Sequence, residues 1–475
     1  MRSLRMLRRS WLAAVVVALL LAPVAGLPPA SAADASLTVT ALRVLEQAYV
    51  EQVDPVQLLN AGIATMRAAT KLSADALPDI PPGTPEFEAD SQFATDFSRA
   101  AQSLPAGAGG TQLAYVATAG MLASLHDSHT YYLPPQAFRE TQRQVTGNPS
   151  FTGIGVEITS QKDSSGAQSI FVANVFPGSP AAQAGLKRFD RLVAVDGQSL
   201  ANKTTSDVSR LIRGTAGSSV TLTVQRGGQS MQLSVTRAAI QVPPVQTSLI
   251  APGLAYLQVY EFSQGAGRQL RAGIQALQAQ GPIRSAVLDL RDNPGGLITE
   301  AASVGGAFLP AGTVLARIHE RGQAPSLLQT SGEPVLPGTP LVVLVDGQSA
   351  SASEILAGAF KDYGRATIVG DKTAGALGGS IMVALPEGGM SVTVESILTP
   401  KNERVEGAGI TPDLNVSLTA NDMERGQDTQ LQAALHALGT AVTLPARSSL
   451  AAEQLVDRSR AAAWRTHVQG APRRA

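Results

Sequence analysis

The run Leu341-Val342-Val343-Leu344-Val345 has no polar face. A strand of consecutive aliphatic residues must be covered on both sides, which predicts a central strand of a largely parallel sheet between helices. The turn after it, Asp346-Gly347-Gln348-Ser349-Ala350-Ser351-Ala352-Ser353-Glu354, is built from small residues. From Glu354 to Tyr363 apolar residues recur at helical spacing, so Ser351 lies where a strand turns into a helix. Two readings of that serine are open. It caps the first amides of the helix, the common use of serine there. Alternatively, its hydroxyl faces unpaired N–H groups that favour negative charge developing on a substrate oxygen.

At 475 residues the chain is long enough for two or three domains. Zero formal net charge and 4% aromatic residues argue against a nucleic-acid partner, which needs a basic surface or stacking platforms. The chain has no cysteine, which removes disulfides, thiolate metal sites and a cysteine nucleophile together. Residues 1–33 read as an export signal: Arg2, Arg5, Arg8 and Arg9, then the apolar run Trp11 to Ala22, then the small-x-small site Ala30-Ser31-Ala32. The expected location is periplasm, cell envelope or outside the cell, with a membrane partner only if that signal stays uncleaved. The apolar run is short of the about 20 residues a membrane span needs.

Residues 34–150 read as an N-terminal helical region contributing to the main domain, with helical pattern over Leu37–Thr70 and Thr111–Leu125. The Pro- and Gly-rich stretch between them, Ala74–Gly110, is expected to be irregular. Residues 151–240 change to short β-rich runs: Ile170–Phe176, Arg191–Val195 closed by Asp196-Gly197, and Val220–Gln225 pairing with Met231–Thr236 across Gly227-Gly228. Over residues 245–420 strands and helices alternate, which predicts an α/β core. Residues 421–475 are expected to hold a C-terminal helix and an unstructured Ala/Arg-rich tail.

The order of elements in 151–240 resembles a PDZ domain, and Gly153-Ile154-Gly155-Val156 lies where such a domain binds a peptide's terminal carboxylate. Bare backbone N–H groups and an open strand edge suit an extended polypeptide. Three further blocks resemble the C-terminal processing peptidases, or tail-specific proteases: Val287-Leu288-Asp289-Leu290-Arg291-Asp292-Asn293-Pro294-Gly295-Gly296, then Gly347–Gly370 around Ser351, then Thr399-Pro400 through Glu406-Gly407-Ala408-Gly409-Ile410-Thr411-Pro412-Asp413. The resemblance implies a crotonase-like protease core with an inserted PDZ domain. It makes Ser351 the nucleophile, with Asp362 in the following Asp-Tyr-Gly segment, and implies an exported serine endopeptidase acting on polypeptides without a cofactor or metal.

The usual general base of that family is a lysine 25 positions after the nucleophile, and here that position is Ala376. Lys372 lies four residues early, where it is expected to face solvent. The tricorn-like branch, which combines its serine with histidine, a second serine and glutamate, offers another base. Asp127-Ser128-His129-Thr130 resembles its Ser-His pair and Glu406 its glutamate. The resemblance then implies His129 as base, Ser128 and Glu406 as polarising groups, and Gly295, Gly296 and Ala352 N–H groups as the oxyanion hole. A metal pair of His126 and His129 has no zincin pattern behind it, so no metal site is expected. The alternative is a catalytically degenerate member that binds peptides or apolar ligands.

Overall fold

In the computed structural model the described residues are 35–104, 110–127, 129–146, 151–162 and 166–440. The predicted signal, Ser128 and the tail from 441 lie outside them.

The α/β core is a six-stranded sheet in the order Val245–Ala251, Leu254–Val259, Ser285–Asp289, Leu341–Val345, Thr367–Gly370, Leu414–Asn415. The first pair is antiparallel and the others are parallel. Leu341–Val345 is buried throughout, as its composition requires. Its side chains divide by strand alternation. Leu341, Val343 and Val345 pack with Leu270, Ile274, Leu356 and Phe360 of the helices Ala266–Gln278 and Ala352–Asp362. Val342 and Leu344 pack on the other face against Leu431 and Leu435 of the helix Thr429–Ala437.

A second, antiparallel sheet was not legible in the sequence. Gly389–Leu398 runs through it, flanked by Tyr131–Leu133, Val314–Glu320 and Gly378–Ala384, with Ser326–Gln329 at the edge. Its apolar face, including Leu385, Met390 and Val392, is covered by four N-terminal helices. The first predicted helical stretch is two helices, Ser36–Ala48 and Pro55–Thr70, divided where Asp54 caps the second and Pro55 occupies its first turn. The stretch expected to be irregular contains the helix Glu86–Gln102. Four of its five prolines, Pro78, Pro81, Pro82 and Pro85, lie before the helix and none within it, while Ala89, Phe93, Phe97 and Ala100 recur at helical spacing and are buried.

The segment Phe151–Gly153 pairs with Ala238–Ile240 and forms the neck of the β-rich module. Within it the strands Val156–Lys162, Gln168–Val175, Arg191–Val195, Ser219–Arg226 and Gln229–Thr236 form one antiparallel sheet, with the helix Thr205–Ile212 packed beside its first strand. Phe171 and Phe189 of this module share a small core with Leu418 and Met423 of the α/β domain. Beside it Arg188 pairs with Asp428 at 3.0 Å.

Candidate active site

Three serines occupy the turn after Leu341–Val345, and their surroundings separate them. Ser349 Oγ donates to the Leu290 carbonyl at 2.7 Å, and Ser353 Oγ donates to the Asn293 carbonyl at 3.0 Å. Both residues are fully buried. Ser351, between them, is half-buried. Its φ of 53° lies in the left-handed region, which costs a residue with a Cβ roughly 1–3 kcal/mol. Surrounding contacts hold it there: its N–H donates to the Ala376 carbonyl at 3.0 Å and to Glu354 Oε2 at 3.1 Å.

Glu354 is the buried post of this turn. Besides Ser351 N–H it accepts from Thr373 Oγ1 at 2.5 Å, Gly375 N at 2.7 Å and Ala376 N at 3.0 Å. Burial pushes its carboxyl pKa up, and these donors oppose that by stabilising the anion. Thr373 Oγ1 also accepts from Ile410 N at 2.6 Å, so one acid ties the serine turn, the 373–376 segment and the 406–410 loop together.

The second block, Asp292 to Gly296, lies against the serine turn. A Cβ at Gly295 would stand 2.7 Å from Ser351 Cβ and 2.9 Å from Ala352 N, so only glycine allows this approach. Asn293 fastens the two loops: its Nδ2 donates to the Val259 carbonyl at 2.7 Å, and its carbonyl accepts from Ala350 N at 3.1 Å. Its Oδ1 accepts from Gly295 N at 2.8 Å. Gly295 was expected among the oxyanion donors, but its N–H is therefore already engaged, whereas those of Gly296 and Ala352 donate to no acceptor among the described residues.

His129 reaches the site from the far end of the chain. Thr130 Oγ1 accepts from Thr393 N at 3.0 Å, and Tyr131 pairs with Ser391, so the second sheet fixes the segment. His129 Nδ1 lies 3.4 Å from Glu406 Oε2, which also accepts Leu377 N at 2.6 Å. A Cβ at Gly378 would come 3.2 Å from Thr393 Cγ2 and 3.4 Å from Nδ1, so a side chain there would press on Thr393 and touch the imidazole. The carboxylate of Glu406 raises the imidazole pKa, against the opposing effect of burial, with Asp127 and Glu354 adding to the rise. Asp127 Oδ1 accepts from His129 N at 2.9 Å and its Oδ2 from Thr130 Oγ1 at 2.8 Å. Tyr49 hydrogen-bonds to Asp127, and burial raises its own pKa.

The structure thus brings Ser351, Ala352, Gly295 and Gly296 together, and separately joins His129 to Glu406. The strip Ala376-Leu377-Gly378 bridges the two groups. Lys372 is exposed. Asp362 accepts from Lys401 N at 2.9 Å at the last residue of its helix, about 16 Å along the axis from Ser351 at 1.5 Å per residue. Glu354, Asn293, Thr373 and Asp127 were not assigned roles from sequence. Only Glu354 carried a local signal, the Ser-x-x-Glu spacing of a capping box.

A cleft of about 550 Å³ is lined by Gly153, Ile154, Gly155 and Val156 on one side and by the helix residue Ile212. It continues onto Asp292, Pro294 and Gln348 of the α/β domain, beside the loops just described. Gly155 has φ of 80°, and a Cβ there would lie 2.3 Å from Ser179 Cβ.

An α/β core with a serine at a strand-to-helix turn and a PDZ domain is the plan of a serine peptidase that handles polypeptide chains. The chain belongs to peptidase family S41. The profile of that family matches residues 253–416, and that of the PDZ domain matches residues 171–226. A carboxyl-terminal-processing protease of Picosynechococcus sp. is 36% identical over 306 residues, covering 63% of this chain and 72% of that protein. A carboxy-terminal-processing protease of Bartonella bacilliformis is 32% identical over 320 residues, covering 66% of this chain and 71% of that protein. A solved structure assigned to the S41 proteases, from Bacteroides fragilis, superposes with a TM-score of 0.54 at 17% identity, covering 84% of this chain and 97% of that one. Among the described residues no helix is long and apolar enough to cross a membrane.

Proposed function

We propose that this serine peptidase works through Ser351 as nucleophile and His129 as general base, on a crotonase-like core, in an exported protein. The observation that carries the reading is the contact of His129 Nδ1 with Glu406 Oε2 at 3.4 Å. A proton held on Nδ1 by the carboxylate leaves the lone pair on Nε2, the tautomer a base needs. Lys372 is exposed and Ala376 has no titratable group, so neither competes for the role.

Ser351 Oγ attacks the scissile carbonyl carbon while its proton passes to His129 Nε2. The carbonyl oxygen becomes an oxyanion, received by the N–H groups of Gly296 and Ala352 at the N-terminus of the helix Ala352–Asp362. The tetrahedral intermediate collapses as Nε2 returns the proton to the leaving amine. Water then repeats the sequence on the acyl-enzyme and frees Ser351. Glu406 stabilises the imidazolium that forms twice per turnover, and the resemblance to the tricorn-like branch gives Ser128 a polarising role. Glu354 and Asn293 hold the two loops in register without touching the substrate.

The cleft along Gly153–Val156 supports a polypeptide lying as an added strand, its carboxylate toward the glycine amides, with the chain leading to Pro294 and Gln348. A fluorophosphonate probe tests the reading: labelling is lost in Ser351→Ala and falls sharply in His129→Ala. Full labelling in His129→Ala would overturn the base assignment. Peptide binding with no labelling of the intact chain would instead mark a degenerate, purely binding member.

A further inference from the structure

Among the described residues, Asp127, His129 and Glu406 bring an imidazole nitrogen and two carboxylate oxygens within 4.8 Å of one another. We propose that these three side chains form a zinc-type inhibitory site, in which a divalent cation takes Nδ1 of His129 and locks the peptidase in an inactive tautomer. The inhibitory part rests on His129 acting as the base; the binding part does not.

The donor set suits the ion. Imidazole and carboxylate are ordinary Zn²⁺ ligands, and three protein ligands with an open position for water make a familiar coordination shell. Ligand atoms about 2.1 Å from a tetrahedral ion are about 3.4 Å apart. The Nδ1 to Oε2 separation is 3.4 Å, so two ligands already have that spacing. The Asp127 carboxylate accepts from His129 N, Thr130 Oγ1 and Tyr49, and of its four lone-pair sites one is left for a metal. Leu377 N at 2.6 Å from Glu406 and Tyr49 on Asp127 are outer contacts of the kind that orient metal ligands. The three residues are half-buried rather than sealed, which leaves an entry path. This site differs from the His126–His129 pair considered from sequence: the carboxylates, not a second histidine, complete it.

Inhibition follows from the valence of the ring. A neutral imidazole has one lone pair. With the cation on Nδ1, the ring proton sits on Nε2, and the proton of Ser351 has no lone pair to move to. Removing the cation restores the Nδ1–H to Glu406 contact and returns the ring's lone pair to Nε2.

Binding is tested on full-length Ser351→Ala protein by competition with a chromophoric Zn²⁺ chelator, so the result does not depend on peptidase activity. One Zn²⁺ is expected to bind at about 10 μM or tighter, and Asp127→Asn, His129→Ala and Glu406→Gln are each expected to weaken it roughly 10- to 100-fold. His126→Ala is expected to leave it unchanged. Melting temperatures in EDTA identify any variant that fails to fold, and the remaining variants decide. In wild-type protein, Zn²⁺ slows fluorophosphonate labelling at the concentration that half-fills the site, EDTA reverses it, and Mg²⁺ has no effect. No single-site binding, or binding lost in His126→Ala but kept in folded His129→Ala, overturns the site. Binding without inhibition overturns the inhibitory role alone, and absent labelling in metal-free wild type counts against the peptidase mechanism instead.

Discussion

His129 Nδ1 and Glu406 Oε2, 277 positions apart in the chain, stand 3.4 Å apart across the strip that runs from Ala376 to Gly378. One end of that strip accepts the backbone N–H of Ser351 and the other packs against the imidazole. In the proposed mechanism the carboxylate on Nδ1 sets the tautomer, which makes the charge on Glu406 matter more than its hydrogen-bonding capacity. Glu406→Gln keeps a carbonyl acceptor but not the anion that stabilises the imidazolium. The rate of fluorophosphonate labelling is expected to fall by roughly 10²- to 10⁴-fold, with little change in melting temperature. Unchanged labelling kinetics would remove Glu406 from the mechanism.

The missing lysine gives a second test. Ala376 accepts the Ser351 N–H at 3.0 Å and is half-buried, so a longer side chain there has room to approach the serine hydroxyl. In a His129→Ala background, Ala376→Lys is expected to restore labelling by about 10-fold or more, because a positioned base typically contributes 10²–10⁴-fold. The rescue should grow with rising pH, since lysine acts as a base only when neutral. A folded double variant no faster than His129→Ala would show that position 376 is not a base position in this chain.

Asn293 is fully buried and its side-chain amide is used at both ends, by Val259 O and Gly295 N. Asn293→Ala strands a buried donor and a buried acceptor, each costing about 1–3 kcal/mol. The melting temperature should fall. If Asn293 positions Gly295 and Gly296 as the proposed mechanism requires, kcat of the folded fraction falls while peptide affinity at the PDZ cleft stays the same. A parallel loss of both would mean only general unfolding.

The elements legible in the sequence are those whose pattern is local. Leu341–Val345 declared burial on both faces, and the clusters on either side of it follow its alternation. The hairpin at Gly227-Gly228 pairs Val220 with Val235 as the turn dictates. The helix Glu86–Gln102 was hidden by prolines that precede it, and the second sheet by strands such as Gly378–Ala384, which begin with glycine. At the site, Ser351, His129 and Glu406 were visible through motif resemblance. Asn293 and Thr373 were not, because their roles are bonds to Gly295, Val259, Glu354 and Ile410, and long-range pairing leaves no mark in a local pattern.

Glu157 provides a pH-dependent test of the cleft. It lines the pocket with Asp292, and burial pushes its carboxyl from 4.5 up to about 7, with Asp346 and Asp289 adding to the rise and Asn174 and Arg188 opposing it. An acid with a higher pKa in the folded state takes up protons on folding. Stability therefore falls as pH rises from about 4.5 to 7, and is level above that. At about 1.4 kcal/mol per pH unit, the loss for one half-buried group is of order 1–3 kcal/mol. Asp292 and Asp346 are raised as well, so they add slope of the same sign. Glu157→Gln removes one titrating group and relieves the other two. Relative to wild type, its melting temperature is expected to be higher at pH 8 by several degrees and nearly equal or lower at pH 5. An equal offset at both pH values would show that Glu157 is already ionised in the folded protein at pH 5.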